Sequence, residues 1–252
     1  MKFIVNADDF GMSPGVNRGI RYAYEQGIVR STTLMPGMNY FNDAVDISKD
    51  CEFLAVGIHL TLTAGTPVLR GHKTIVDNNG NFIKMKNALN NGSKIDLDEV
   101  RSELFAQVEK VFAAGIDISH VDSHHHIHGV KEVFEIVLDI CKQYSLPLRA
   151  IDENQRKEAR KREIVVTDDF TVDFYDKDVS LEKLLEILVN AKKKKTETIE
   201  LMCHPAFLDS IVYNQSSYNV QRMNELAVLT TPGLENRLSA MGVELIDFFN
   251  LH

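Results

Sequence analysis

Three cysteines among 252 residues, Cys51, Cys141 and Cys203, are too few and too scattered for a disulfide framework or a paired-cysteine zinc site. A reduced, cytoplasmic setting is the expectation. Positive charge is also short: 28 Lys and Arg against 36 Asp and Glu give a formal net charge of -8. Such a chain has no broad basic surface to hold a phosphate backbone, so nucleic acid is not an expected partner. The only dense basic run, 192–195, falls at the end of an expected helix, where it complements the negative pole of the dipole. No apolar run is long enough to span a bilayer, and no membrane partner is expected. Near the start, Phe3, Ile4 and Val5 give way at once to Asp8 and Asp9, a stretch too short and too charged for a signal peptide. The glycine patterns that cradle phosphates, G-x-G-x-x-G after the first strand and G-x-x-x-x-G-K-[ST], are missing, which removes the main support for dinucleotide and nucleotide chemistry.

With 44% hydrophobic and 25% charged residues the chain can bury one substantial core, and α/β barrels commonly reach this length as a single domain. One domain over residues 1–252 is therefore expected. Residues 2–6 read as a buried strand that hands over to Asp8 and Asp9; Ser13 as N-cap and Pro14 at the first helical position then open a helix whose apolar face is Val16, Ile20, Tyr24 and Ile28. The same βα rhythm recurs. Strands are expected at 31–35, 54–58, 115–122, 146–151, 163–167, 198–203 and 243–248, and helices at 41–48, 97–114, 131–144, from 180, at 219–229 and at 232–241. Residues 152–163, dominated by charge, read as an exposed segment. Residues 63–96 break the rhythm with glycines, Pro67 and an Asn-rich turn at 78–81, and are expected to make an excursion with a hairpin over the strand ends, either a lid or substrate wall or a surface elaboration. The alternation predicts an α/β fold: a parallel (β/α) barrel of seven to eight strands, distorted or incomplete, with an open doubly wound sheet as the alternative.

The stretch His120-Val-Asp-Ser-His-His-His-Ile-His128 holds five of the nine histidines at a strand-to-helix junction. Neutral imidazole is a common ligand for divalent metals, and an internal, interrupted run is not a purification tag. Three or four ligands are the norm, and adjacent residues in extended chain point to opposite sides. One of His124, His125 and His126 is expected to bind, with the others in supporting roles. Asp8, Asp9, His59, His124, Arg149 and His204 all fall at strand carboxyl ends, and in a barrel those ends share one face. Each alone is weak, since an Asp pair is usually a turn or a cap.

The motifs Asn6-Ala-Asp-Asp-Phe-Gly11, Ser31-Thr-Thr33, Gly57-Ile-His-Leu60, the histidine run, Pro147-Leu-Arg149 and Met202-Cys-His-Pro-Ala-Phe207, in that order, resemble those of the YdjC-like carbohydrate deacetylases, which include the chitooligosaccharide deacetylases. The resemblance implies a barrel related to polysaccharide deacetylases, with one divalent metal held by Asp9, His59 and His124. By the same resemblance Asp8 falls where a general base is expected, His204 where a general acid is expected, and Arg149 where an arginine orients the base. Residues 152–197 match the family least, and nothing is carried over there.

Amide hydrolysis needs a nucleophilic water, a polarised carbonyl and a proton for the leaving amine, and a metal with open positions supplies the first two. Two imidazoles and one carboxylate leave such positions. Mixed N and O ligands suit zinc, cobalt, manganese or iron, whereas the family is generally described with magnesium. The substrate implied is a short, soluble N-acetylglucosamine oligosaccharide, with diacetylchitobiose and its phosphorylated form in view; self-association is left open. Arg70, His72 and Lys73 in the excursion are candidates for a phosphate or sugar hydroxyls, against a solvated loop. The rivals are a metal-dependent phosphoesterase, which would want a second metal and a richer basic lining, and an inactive sugar-binding or regulatory protein of the same fold, which would lack the base or the acid.

Overall fold

Eight of the nine residues of the first strand, β1 (Lys2–Phe10), are buried, which marks it as the centre of the sheet. A computed structural model of the chain describes residues 1–83 and 94–251. Ser13 caps α1 (Pro14–Gln26) by accepting from the Val16 N–H, and β2 (Ser31–Leu34), α2 (Phe41–Asp50) and β3 (Ala55–Leu60) repeat the unit. After the excursion come α3 (Leu97–Ala113), β4 (Val121–Ser123), a 3₁₀ turn over His124–Gly129 and α4 (Lys131–Tyr144). The second half holds α5 (Glu153–Lys161), β5 (Asp169–Thr171), α6 (Leu181–Lys193), β6 (Thr198–Cys203), α7 (Ser210–Gln215), α8 (Val220–Leu229), α9 (Leu234–Ala240) and β7 (Glu244–Ile246).

Among the described residues the strands form one seven-stranded sheet, six of them in the order β4-β3-β2-β1-β6-β5 and β7 paired to β1, every pairing parallel. It curls into a partial barrel. β6 pairs with β1 along Lys2–Ala7, so β7, on Lys2–Ile4, and β2, on Asn6–Phe10, must share the opposite edge. A contiguous apolar core runs from Phe3 to Val243. Each fully buried Phe in it, such as Phe3, Phe10 and Phe174, is worth about 1.5–3 kcal/mol relative to exposure.

Four expectations change. The strand expected at 146–151 contracts to a single bridge from Leu148 to Val121, and the one expected at 163–167 has no regular structure, its Val165 carbonyl accepting from the Leu148 N–H at 2.9 Å. The strand of that region is Asp169–Thr171 instead. This irregular chain fills the space between β4 and β5 where a complete barrel would continue. The charged segment 152–163 is largely helical, because Asp152 caps it on the Gln155 N–H at 2.8 Å and Gln155 and Ala159 turn inward. The excursion's hairpin is one antiparallel bridge, Val76 to Phe82, and residues 84–93 of the expected lid lie outside the described residues. The described part is tied to α3: Glu103 accepts from the Val68 and Leu69 N–H groups, and Glu99 from those of Lys73 and Thr74.

Candidate active site

Neighbouring residues in a strand face opposite ways, yet Asp8 and Asp9 both line one cleft of ≈ 680 Å³ at the carboxyl end of the sheet. The cause is a local irregularity. The β1–β2 register shifts between Ala7 and Phe10, and Asp9 adopts φ 72, a left-handed conformation that Asp tolerates better than most residues. The histidine run uses the same device: His125 (φ 57) and His126 (φ 48) turn the chain so that His124, His125 and His126 all face the cleft.

His59, near the end of β3, has its Nδ1 2.6 Å from Asp122 Oδ1 and its Nε2 3.4 Å from Asp9 Oδ1. With Nδ1–H donating to Asp122, the Nε2 lone pair is directed at Asp9, the arrangement by which carboxylates orient metal-binding histidines. His124 Nδ1 lies 3.0 Å from the same Asp9 oxygen. Asp9, His59 and His124 thus offer one oxygen and two nitrogens within 4.8 Å of one another, all buried, and this donor set fits a single divalent ion. A second trio, Asp8, His59 and Asp122, is as compact, but its carboxylates are already neutralised by Arg149.

Arg149 is fully buried and bonds three acids: Nη1 and Nη2 fork onto Asp8 at 2.7 Å each, Nε donates to Glu200 at 2.7 Å, and Nη1 is 2.8 Å from Asp122. Burial alone would raise the Asp8 pKa, yet the Arg149 charge and its fork hold it below the usual carboxylate range. Asp9 is likewise depressed: burial opposes its charge, and Arg222 and His124 outweigh burial. Burial works against a charged His59, but Asp122 and Asp9 draw its pKa up to about 10. A metal on Nε2 would displace that proton. Glu200 goes the other way, pushed by burial up to about 7, and His126 is taken down to about 3 by burial and the nearby Arg149.

All six residues singled out in the sequence reach the site. Asp8, Asp9, His59, His124 and Arg149 form one linked network together with Asp122; His204, just past β6, lines the cleft with its backbone N–H on Glu225. Arg70, His72 and Lys73 do not line it: His72 pairs with Glu103 at 3.2 Å, and the loop is the better reading. The missed residues are as telling. Asp122 was hidden inside the histidine run, and Glu200 inside an apolar strand. Arg222 donates to Asp9 Oδ2 at 2.6 Å, and Tyr218 and Glu225 surround His204. Arg222 and Glu225 stand at i and i+3 on the inward face of α8 and Tyr218 lies in the turn before it, so a polar pair at helical spacing was the available signal.

A family model described as "YdjC-like protein" matches residues 2–240. A carbohydrate deacetylase of Clostridium beijerinckii is 38% identical over 248 residues, 98% of this chain and 99% of its own. One from Geobacillus stearothermophilus is 39% identical over 245 residues, 97% and 96% of the two chains. Among solved structures, a protein of Enterococcus faecalis V583 assigned provisionally to cellobiose-phosphate cleavage superposes with TM-score 0.90 at 34% identity, covering 98% of this chain and 97% of that one. With a match this long and relatives this similar from end to end, the chain belongs to the YdjC-like family.

Proposed function

We propose that the cleft hydrolyses the N-acetyl group of a short N-acetylglucosamine oligosaccharide, diacetylchitobiose or its phosphorylated form, with one divalent metal held by Asp9, His59 and His124. The observation that carries the reading is an ionised carboxylate, Asp8, fixed beside a separate two-histidine, one-carboxylate trio in a sugar-sized cleft. The full-length relatives named carbohydrate deacetylase support it.

When bound, the metal lowers the pKa of water and polarises the acetyl carbonyl. The protein's own groups do the rest. Asp8 takes the proton of the attacking water: Oδ1 accepts from Arg149 and Asn6, Oδ2 accepts once from Arg149, and of the roughly four lone-pair sites of a carboxylate one on Oδ2 remains for that water. Arg149 keeps Asp8 ionised and fixed in direction. His204, across the cleft, gives its proton to the leaving amine. The phosphoesterase rival has less to stand on: Arg149 is taken up by three buried carboxylates, and of the Lys and Arg side chains only Arg222, itself paired with Asp9, lines the cleft among the described residues, short of the richer basic lining a phosphate wants. Among the described residues no helix is long and apolar enough to cross a membrane, and a soluble sugar in the cytoplasm completes the reading.

The test is acetate release and mass analysis on diacetylchitobiose and its 6-phosphate, using enzyme loaded in turn with magnesium, manganese, zinc and cobalt. Loss of one acetyl group from either sugar is the expected result. No loss from either with metal-loaded enzyme rejects chitobiose.

A further inference from the structure

α8 and the turn before it lie behind His204, and nothing in the reaction above explains their buried polar groups. Glu225 is fully buried on the inward face of α8. Its Oε2 accepts from the backbone N–H of His204, and its Oε1 accepts from the Tyr218 hydroxyl. The His204 Nδ1 is buried, has no hydrogen-bond partner of its own and lies 3.7 Å from Glu225 Oε1, a gap that a small ring rotation closes. The ring is confined in that rotation: Tyr175 and Tyr218, stacked on each other at 4.1 Å, both meet it edge to face, at 5.7 and 5.5 Å. His204 nevertheless lines the cleft, so with Nδ1 turned to the interior, Nε2 is the nitrogen left for the substrate.

We infer that Glu225 is the positioning residue of His204: it holds the Nδ1–H, sets the neutral ring as the Nδ1–H tautomer and presents Nε2 to the cleft. The inference deepens the proposed hydrolase and rests on it for the consequence in rate. A buried carboxylate acceptor selects the tautomer because a bare Nδ1 lone pair would face its negative charge. In the charged ring both nitrogens carry protons; Nε2 releases its proton to the leaving amine, and the ring relaxes to the tautomer that Glu225 already favours. The same carboxylate fixes the backbone of His204, so ring and main chain are held by one group. Arg222, one turn earlier on the same face, directs Asp9 by occupying its Oδ2.

The test joins ¹⁵N NMR of histidine-labelled protein to steady-state kinetics, with the His204 signal assigned by its disappearance in His204→Gln. At a pH where the ring is neutral, the wild type is expected to show Nδ1 protonated. In Glu225→Gln the amide can keep the backbone contact through its oxygen while its NH₂ turns to Nδ1, which reverses the tautomer. The expected loss is about 10²-fold or more in kcat at unchanged KM and metal content. A wild-type ring found as the Nε2–H tautomer overturns the inference even where the variant does not fold. So does a variant with reversed tautomer and unchanged kcat. If both tautomers come out as expected but the loaded wild type deacetylates no sugar, the positioning role stands and the proposed reaction fails.

Discussion

Arg149 is the residue on which most of the buried charge depends. Its guanidinium faces Asp8, Asp122 and Glu200 at once, none of them more than marginally exposed. In Arg149→Met three acids stay in the interior without their cation, and the expected cost is about 3–5 kcal/mol, read as a lower urea midpoint at neutral pH. Arg149→Lys is expected to recover only part of it, since an ammonium cannot reproduce the fork. The two neighbouring aspartates should separate cleanly. Asp8→Asn is expected to keep its metal and lose about 10²-fold or more in kcat, and Asp9→Asn to lose metal affinity, as seen by equilibrium dialysis. The reverse pattern would exchange their roles. Asp8, Asp9, His59 and His204 were legible in the sequence because each polar residue interrupts or ends an apolar strand run. Arg222 and Glu225 were not, because the helix expected at 219–229 carries no local sign of which polar residues turn inward, and a polar residue on a helix is ordinarily assigned to solvent.

At the scale of elements, the position of His204 is set by how closely α1 approaches the turn that follows it. A Cβ placed on Gly19 would lie 2.4 Å from Ala206 Cα and 2.9 Å from Phe207 N, both main-chain atoms that cannot swing aside. Gly19→Ala is therefore expected to destabilise by about 1–3 kcal/mol, the usual cost of overpacking. It should also reduce kcat, because the shifted turn carries His204. A variant with wild-type Tm and wild-type kcat would show that the contact is not limiting. The regular elements of this layer were readable from periodicity: β1 to β3, α3, α4, α6 and β6 fall close to where the apolar pattern put them. The segments around 146–151 and 163–167 were not. Their apolar residues pack like strand residues, but the hydrogen bonds that decide the matter come from partners remote in sequence, and no local pattern reports them. The charged helix α5 was missed for the opposite reason, since its stability lies in a cap and in good helix formers rather than in an apolar face.

For the molecule as a whole, stability should follow pH through its buried acids. Glu200 is raised from 4.5 to about 7 in the folded state, so between these values the native chain keeps a proton that the unfolded chain releases. Its contribution is present below about 4.5 and lost as pH rises through about 7, on the order of 3 kcal/mol. Subtracting the pH profile of Glu200→Gln from that of the wild type, by thermal melts at matched ionic strength, should show this decline. A flat difference would place the proton elsewhere. Metal should act on the same equilibrium: an ion at a hundred times its Kd adds about 2.7 kcal/mol, chelation removes it, and Asp9→Asn should show neither change. The pairing of β1 with β6, residues 2–7 against 198–203, also bears on the order in which the site comes into being on the ribosome. Asp9, His59 and His124 have all been made before β6, His204, Arg222 and Glu225 emerge. At about 5–20 residues per second the nascent chain carries the makings of a metal trio for on the order of 5–20 s before Glu225 is even synthesised. The residues proposed to hold a metal are thus all in the chain before the strand that pairs with β1 and the groups that surround His204, and the site can close only when that last part arrives.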